Sequence, residues 1–226
     1  MPATPTRVAA ALVLGAILVS ACGSRQLPVG AGPSASATPT TPATPAASPA
    51  SAAPTATPAG TEAQLRARAA EAVTALRDKD FTRLATLAHP QKGVRFSPYA
   101  FVDTQRHVVL PAATLTQGFG NRQQHLWGHT DGQGLPMQWT LEEYYTRHLW
   151  KKDFSKAPTI VIDQRTGKGS ATDNSAHAYP GARVVEYHQP SANPNTTLDW
   201  SSLRLVFEQQ AGSWVLVGII RDEWTI

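Results

Sequence analysis

Two ionisable side chains alternate along one short apolar segment in the last quarter of the chain. Glu186 and His188 lie two residues apart, on either side of Tyr187, and in a β-strand this spacing directs both side chains to one face. With a further carboxylate such as Asp222, they could form a polar pocket on the concave side of a sheet and move a proton as acid and base. The same alternation occurs on a solvated sheet surface, and that outward polar face is the interpretation that the pattern favours.

A second group of polar residues has the types that bind metal ions. His125, His129 and Asp131 are the closest ligand-type cluster, in a chain with seven histidines. The intervening Trp and Gly residues indicate a strand followed by a turn, where residues four apart lie roughly 13 Å from each other. We therefore predict a turn rather than a metal site, with His129 and Asp131 as the weak candidates. We expect no cofactor, because the chain has neither an HExxH motif nor paired cysteines.

Other charged motifs fit structural roles better than catalytic ones. Gly167-Lys168-Gly169 lacks the rest of a phosphate-binding loop, so we expect a solvent-exposed turn. Arg95, Arg204 and Arg221 lie inside apolar strand segments, where a buried guanidinium must find a carboxylate. These arginines therefore predict buried ion pairs, with an anionic-ligand site as the alternative.

The single cysteine of the chain lies where an exported protein would be cut. Arg7 precedes an uncharged run of 12 residues, 8–19, and the small residues Ser20 and Ala21 lead to Cys22. This is the layout of a signal peptide. The run is short for a membrane span, which takes roughly 20 residues as a helix, so we expect cleavage before Cys22.

Residues 18–22, Leu-Val-Ser-Ala-Cys, resemble the lipobox of bacterial lipoproteins, although Val19 stands where Leu is more usual. The resemblance implies that the thiol of Cys22 carries diacylglycerol and that palmitate-like chains bind the protein to a lipid bilayer. It also implies a domain outside the cytoplasm, at the cell membrane or the outer membrane. Two acyl chains suffice for stable residence, whereas one anchors only reversibly. The alternative is a chance cysteine after an ordinary signal peptide.

Composition divides the chain near residue 60. All 16 acidic residues and all 17 aromatic residues (6 Trp, 5 Tyr and 6 Phe) lie beyond Gly60, whereas residues 24–60 are mostly Ala, Thr, Ser and Pro. Such a segment cannot build a core. We therefore predict a lipoprotein signal peptide over residues 1–21, a lipidated cysteine and disordered linker over 22–60, and a single globular domain over 61–226.

Helical signals come early in this domain. Thr61-Glu62-Ala63-Gln64 and Thr140-Leu141-Glu142-Glu143 are capping-box patterns, which open helices. The first predicts a helix to Asp78, and the second a helix through Trp150. Between them, Asp80 is a candidate cap for a short helix that must end before Pro90, because the residue before a proline disfavours helical backbone.

Strand signals come late. Segments rich in Val, Ile, Leu and aromatic residues predict strands over 159–165, 182–188, 202–209 and 214–221. Short strands are expected earlier, around Val94 and Phe96 and over 107–110. The last two strands flank Gln210-Ala211-Gly212-Ser213, which predicts a hairpin.

Grouped helices followed by grouped strands predict an α+β domain, with N-terminal helices packed on a curved antiparallel sheet. This order resembles the cone-shaped folds of the nuclear transport factor 2 and cystatin-like class. Residues 89–99, 127–134, 185–188, 199–208 and 222–226 also resemble a family of uncharacterised bacterial lipoproteins, through the segments GVRFSPYA, WGHTDGQG, SLRLVFE and DEWTI. That resemblance implies localisation and fold but assigns no catalytic residue.

The sequence favours a binding or structural module of the cell envelope over an enzyme. Its partner would be a small ligand, a cell-wall component or an envelope protein, and the scattered basic residues exclude a nucleic-acid surface. The alternative is a small acid/base enzyme of cone-like fold that uses His188 with Glu186 or Asp222. A third possibility is a lipoprotein that serves mainly in assembly.

Overall fold

The structure is a computed structural model that describes residues 59–193, 195–196 and 198–226. The predicted signal peptide, Cys22 and the linker up to residue 58 lie outside the described residues. All of the described residues fall within one compact unit of the chain. In this part of the chain, no helix has both the length and the apolar character needed to cross a bilayer.

Two helices open the described chain. Helix α1 spans Ala59–Arg77 and buries the predicted apolar face, including Leu65, Ala69 and Leu76. It begins two residues earlier than predicted, so the capping box expected at Thr61 is wrong. Thr61 lies within the first turn, where its carbonyl accepts a hydrogen bond from the indole of Trp214 at 3.0 Å.

Helix α2 spans Phe81–Leu87 and begins and ends as the sequence predicts. The Asp80 carboxylate accepts from the backbone N–H of Arg83 at 2.8 Å, which satisfies one of the free donors of the first turn. The helix ends two residues before His89, ahead of Pro90.

Three short helices follow: α3 over Ala112–Gln117, α4 over Leu141–Tyr144 and α5 over Ser175–Ala178. The capping box that opens α4 is confirmed, because the side chains of Thr140 and Glu143 each accept from the other's backbone N–H, at 3.3 and 3.0 Å respectively. The predicted helix continues to Leu149, but its second half, Tyr145–Leu149, is a π-helical turn.

Within the described residues, eight strands form two sheets: β1 Val94–Ser97, β2 Val109–Leu110, β3 His125–His129, β4 Pro136–Trp139, β5 Thr159–Ile162, β6 Arg183–Gln189, β7 Ser201–Gln210 and β8 Ser213–Glu223. The larger sheet has six strands in the order β2-β1-β8-β7-β6-β5, and β3 and β4 form a separate hairpin. In the six-stranded sheet, neighbouring strands are antiparallel except for β1 and β8, which are parallel. The fold is thus α+β with a curved sheet.

A tight hairpin and a bulge shape the two longest strands. Ala211 and Gly212, between β7 and β8, both have positive φ, at 48° and 78°, as a two-residue hairpin turn of matching twist requires. The predicted hairpin is therefore confirmed. The register shifts between Val206 and Phe207, and such a bulge bends a strand and increases its twist.

The six-stranded sheet separates the main apolar face from a mixed face, which carries charged side chains and a smaller apolar cluster that includes Val184 and Val206. Side chains such as Val185, Leu203 and Leu205 belong to the main core, which α1 and α2 also build. The alternate residues of β6, β7 and β8 point the other way, and pairs such as Glu186 with Arg204 and His188 with Ser202 are directly opposite. The connection between β5 and β6, residues 163–182, contacts this second face and covers part of it.

Candidate functional site

Glu186 is a fully buried carboxylate on the second face of the sheet. It accepts hydrogen bonds from the backbone N–H groups of Thr166 and Gly167, both at 3.1 Å, and from the hydroxyl of Ser202 at 2.6 Å. The outward, solvated position favoured by the sequence is therefore wrong for Glu186. The connection between β5 and β6 covers this position, and its backbone donors replace the water that the carboxylate loses on burial.

His188 lies one residue pair further along the same face and is linked to Glu186 through Ser202. Its Nδ1 atom is 2.9 Å from the Ser202 hydroxyl and 3.9 Å from Oε1 of Glu186. Glu186 is therefore within reach of His188 through one intervening hydroxyl rather than by direct contact.

This chain of contacts fixes the tautomer of His188. An ionised carboxylate can only accept, so the single hydroxyl proton of Ser202 is directed to Glu186. Ser202 must then accept from His188, which places a proton on Nδ1 and leaves a lone pair on Nε2. Burial lowers the pKa of His188, and the charge of Glu186 opposes the shift only in part. The imidazole is therefore neutral near pH 7.

Asp222, the other predicted partner of His188, pairs with Arg165 instead. It is fully buried and accepts two hydrogen bonds from Arg165, at 2.8 and 3.1 Å. Burial raises the pKa of Asp222, while the Arg165 guanidinium opposes that rise. The structure therefore brings His188 and Glu186 together and engages Asp222 in a separate bidentate ion pair.

The predicted buried ion pairs are present at two of the three strand arginines. Arg204 is 2.8 Å from Asp173 and 3.8 Å from Glu186, and Arg221 is 3.0 Å from Glu223. Arg95 differs, because it donates to the backbone carbonyl of Thr104 at 2.9 Å. The ion pairs of Arg165 and Arg204 hold the covering connection onto the sheet.

The ring of His188 lines an open pocket of about 370 Å³. Its wall includes Trp200, whose ring centroid lies 5.8 Å from that of His188, and Trp224, which is 39% exposed. The other lining residues are Thr166, Gly167, Lys168, Pro190, Ser191, Asn193 and Thr196. Apart from His188, Lys168 is the only ionisable residue among them.

The loop predicted as a solvent-exposed turn forms part of this pocket. Lys168 is exposed, but Gly167 is buried, and a Cβ atom added there would lie 2.1 Å from the ring of Trp200. The expectation of a wholly exposed turn is therefore wrong. Only glycine fits at position 167, because the Trp200 ring occupies the space where a Cβ atom would lie. The sequence signal for this loop was the glycine on each side of Lys168.

Ser202 is the site residue that sequence reasoning missed. It is fully buried and joins His188 to Glu186. Nothing in its own neighbourhood of the sequence marks it, since its role comes from the register that sets it opposite His188.

The weak metal candidates do not form a cluster of ligands. His129 ends β3, and the Asp131 carboxylate accepts from the backbone N–H of Ile226 at 2.7 Å. The ring of His125 packs edge-on against Trp127, with centroids 5.6 Å apart. Over the described ranges, no group of three His, Cys, Asp or Glu side chains is placed to hold a metal ion.

Comparison with known proteins does not identify a family for this chain. No protein-family model matches the chain, and no curated protein matches it. It is similar to a solved designed protein of the NTF2-like type, whose title begins Rd1NTF2, with a TM-score of 0.32 and 12% sequence identity over 72% of this chain and 98% of that one. A likeness at this level supports no conclusion about family or function.

Proposed function

We propose that this chain is an anchored lipoprotein of a bacterial cell envelope whose domain binds a small ligand in the pocket beside His188. The observation that carries the proposal is the pocket itself: about 370 Å³, which lies in the range of small-molecule sites. At its wall, the buried carboxylate of Glu186 acts through Ser202 to fix the ring proton of His188 on Nδ1. Such preorganised polar groups in a partly apolar cavity are typical of ligand sites.

The anchoring part of the proposal is supported by the sequence. The lipobox-like residues 18–22 contain the only cysteine, and a linker rich in Pro, Ala, Thr and Ser separates Cys22 from the domain. Acylation of Cys22 would place the domain outside the cytoplasm, at the cell membrane or the outer membrane. Membership of the uncharacterised lipoprotein family, and of the NTF2 and cystatin-like class of cone-shaped folds, belongs to the same proposal.

A pocket-filling variant tests the binding function. Thr166 is exposed at the rim of the pocket, so Thr166→Phe should occupy part of the cavity. The full chain in detergent would be titrated calorimetrically with N-acetylglucosamine, a muramyl dipeptide, glycerol 3-phosphate and a fatty acid. We expect at least one probe to bind the wild type and to bind Thr166→Phe at least about ten-fold more weakly, which corresponds to about 1.4 kcal/mol.

The matched control is Thr116→Phe, because Thr116 is an exposed threonine on α3 that does not line the pocket. It should bind like the wild type. Equal affinity of the wild type and Thr166→Phe for every probe that binds would contradict a binding role for this pocket.

A second candidate function, a small acid/base enzyme, is favoured by one observation. The chain of contacts from Glu186 through Ser202 to His188 leaves a neutral imidazole with a free lone pair at the pocket, as a general base requires. If a bound probe is turned over, His188→Gln should slow its conversion by about 100-fold or more, measured by mass spectrometry of the product. Recovery of every bound probe unchanged would remove this candidate.

A further inference from the structure

Nε2 of His188 determines whether a ligand group beside it must donate or accept a hydrogen bond. Nδ1 is committed to Ser202, and Nε2 makes no hydrogen bond to the residues that the structure describes. His188 is part-buried and lines the cavity, and Nε2 is the ring nitrogen that it has left to offer a ligand there. The ligand group that meets His188 must therefore be a hydrogen-bond donor.

The charges around the pocket disfavour a cationic donor. Among the described residues, no carboxylate lines the cavity. Glu186 is fully buried and already accepts from Thr166, Gly167 and Ser202. The Asp199 carboxylate, which accepts from the wall residue Ser191, pairs with Lys152. Lys168 at the wall would repel an ammonium group.

An anionic ligand is disfavoured as well. The backbone N–H groups of Thr166 and Gly167, which could bind an anion, donate instead to Glu186. The guanidinium groups of Arg165 and Arg204 pair with Asp222 and Asp173. Lys168 alone remains, and it is exposed to solvent, where a single ion pair contributes little. The donor is therefore a neutral group, such as a hydroxyl.

The walls of the pocket add an apolar and a polar component. Trp224 is 39% exposed, and the buried Trp200 also lines the pocket. Ser191, Asn193 and Thr166 supply neutral hydrogen-bonding groups at the rim. A large aromatic surface beside neutral polar groups suits a ligand with an apolar face and a polar edge.

From these features we infer that the ligand of the His188 pocket is a neutral saccharide, an inference that rests on the proposed binding function. One sugar hydroxyl donates to Nε2 of His188, and the C–H face of a pyranose ring packs on Trp224. The inference names a ligand class, which the proposed function leaves open.

The test is calorimetric titration of the full chain in detergent with probes of four classes. The first class is a panel of neutral disaccharides built from glucose, galactose, mannose, arabinose and N-acetylglucosamine. Inorganic phosphate, putrescine and indole represent an anion, a cation and a flat apolar ligand. We expect saturable binding of at least one disaccharide, and Trp224→Ala should weaken it about ten-fold. Phe101→Ala, which removes an exposed aromatic ring outside the pocket, should leave it unchanged.

The outcomes separate this inference from the proposed function. Binding of phosphate, putrescine or indole that Thr166→Phe abolishes, with no disaccharide bound, would overturn the saccharide inference and leave the pocket as a binding site. No binding by any probe would overturn both.

Side-chain nitrogen NMR gives an independent readout of the geometry. In the wild type, His188 should carry its proton on Nδ1, and the bound disaccharide should shift the Nε2 resonance. His188→Phe should weaken binding by about three- to ten-fold, the usual worth of one hydrogen bond. Ser202→Ala should return His188 to a mixture of tautomers. A wild-type spectrum with the proton on Nε2 would contradict the inference.

Discussion

Glu186 is held by three donors from two parts of the chain, and this sets the consequence of changing it. In Glu186→Gln, an amide NH₂ group would face the backbone N–H of either Thr166 or Gly167, both of which now donate to the carboxylate. Loss of the negative charge also leaves Arg204 with one partner fewer. We expect a loss of about 3–5 kcal/mol in the free energy of unfolding, as for the breaking of a buried ion pair, measured by urea denaturation.

Glu62→Gln is the matched control, because Glu62 pairs with Arg66 at an exposed position of α1. Its effect should stay below about 1 kcal/mol. Similar losses for the two variants would show that Glu186 is not the buried anchor described above.

Two histidines, the buried His148 and the part-buried His107, predict how stability depends on pH. Burial lowers the pKa of both His107 and His148 to about 4, from the ordinary value of 6.5. The folded state thus favours their neutral forms more strongly than the unfolded state does. Their contribution to stability is fully present above about pH 6.5 and is lost as the pH falls toward 4.

Urea midpoints measured between pH 7 and pH 4 should therefore decrease steadily. His148→Gln should flatten this decrease, because Gln keeps a donor for the Pro98 carbonyl, which His148 now contacts at 2.6 Å, without titrating. An unchanged midpoint over this range would contradict the burial of these two side chains.

At the residue scale, the sequence predicted part of the site. The shared face of Glu186 and His188 follows from strand periodicity alone. Burial of Glu186 does not, because the groups that compensate it come from residues 166 and 167, twenty positions away, across a connection with no periodic pattern. Asp222 was named on its residue type, and its pairing with Arg165 depends on where that connection crosses the sheet.

The loop between β5 and β6 is the element that shapes the pocket, and Gly167 is its most constrained position. A Cβ atom there would lie 2.1 Å from the Trp200 ring, so Gly167→Ala must displace the ring or the loop. We expect a loss of about 1–3 kcal/mol in the free energy of unfolding, as for other overpacking substitutions. We also expect altered tryptophan fluorescence.

Gly120→Ala provides the comparison. Nothing lies within 4 Å of an added Cβ at Gly120, and its φ is not positive. This variant should unfold at nearly the wild-type urea concentration. A cost for Gly120→Ala as large as that for Gly167→Ala would refute the close contact between Gly167 and Trp200.

Elements with strong local signals were predicted well. The Asp80 cap, the capping box at Thr140 and the hairpin at Ala211-Gly212 are all present. The start of α1 was misplaced: the helix begins two residues before the capping-box pattern at Thr61 that was expected to open it. The parallel pairing of β1 with β8 joins the two ends of the domain, and no local pattern encodes a contact at that separation.

At the scale of the whole molecule, the proposed function combines a lipid anchor at Cys22 with a binding pocket in the domain. The disordered linker predicted over residues 22–60 contains closely spaced prolines, and a disordered chain of that length would reach some tens of ångströms, at about 5–6 Å times the square root of its length. This reach would let the pocket work away from the lipid surface. The domain would then meet ligands at a distance from the bilayer.

Acylation of Cys22 is the central premise of the proposed lipoprotein function, and mass spectrometry of the mature protein tests it directly. The protein extracted from membranes should begin at Cys22 and carry a mass increase equal to a diacylglyceryl group, with or without an additional acyl chain. Cys22→Ala should remain unacylated and be released from the membrane fraction. A chain that keeps Met1, or a mature terminus with an unmodified Cys22 thiol, would contradict the account.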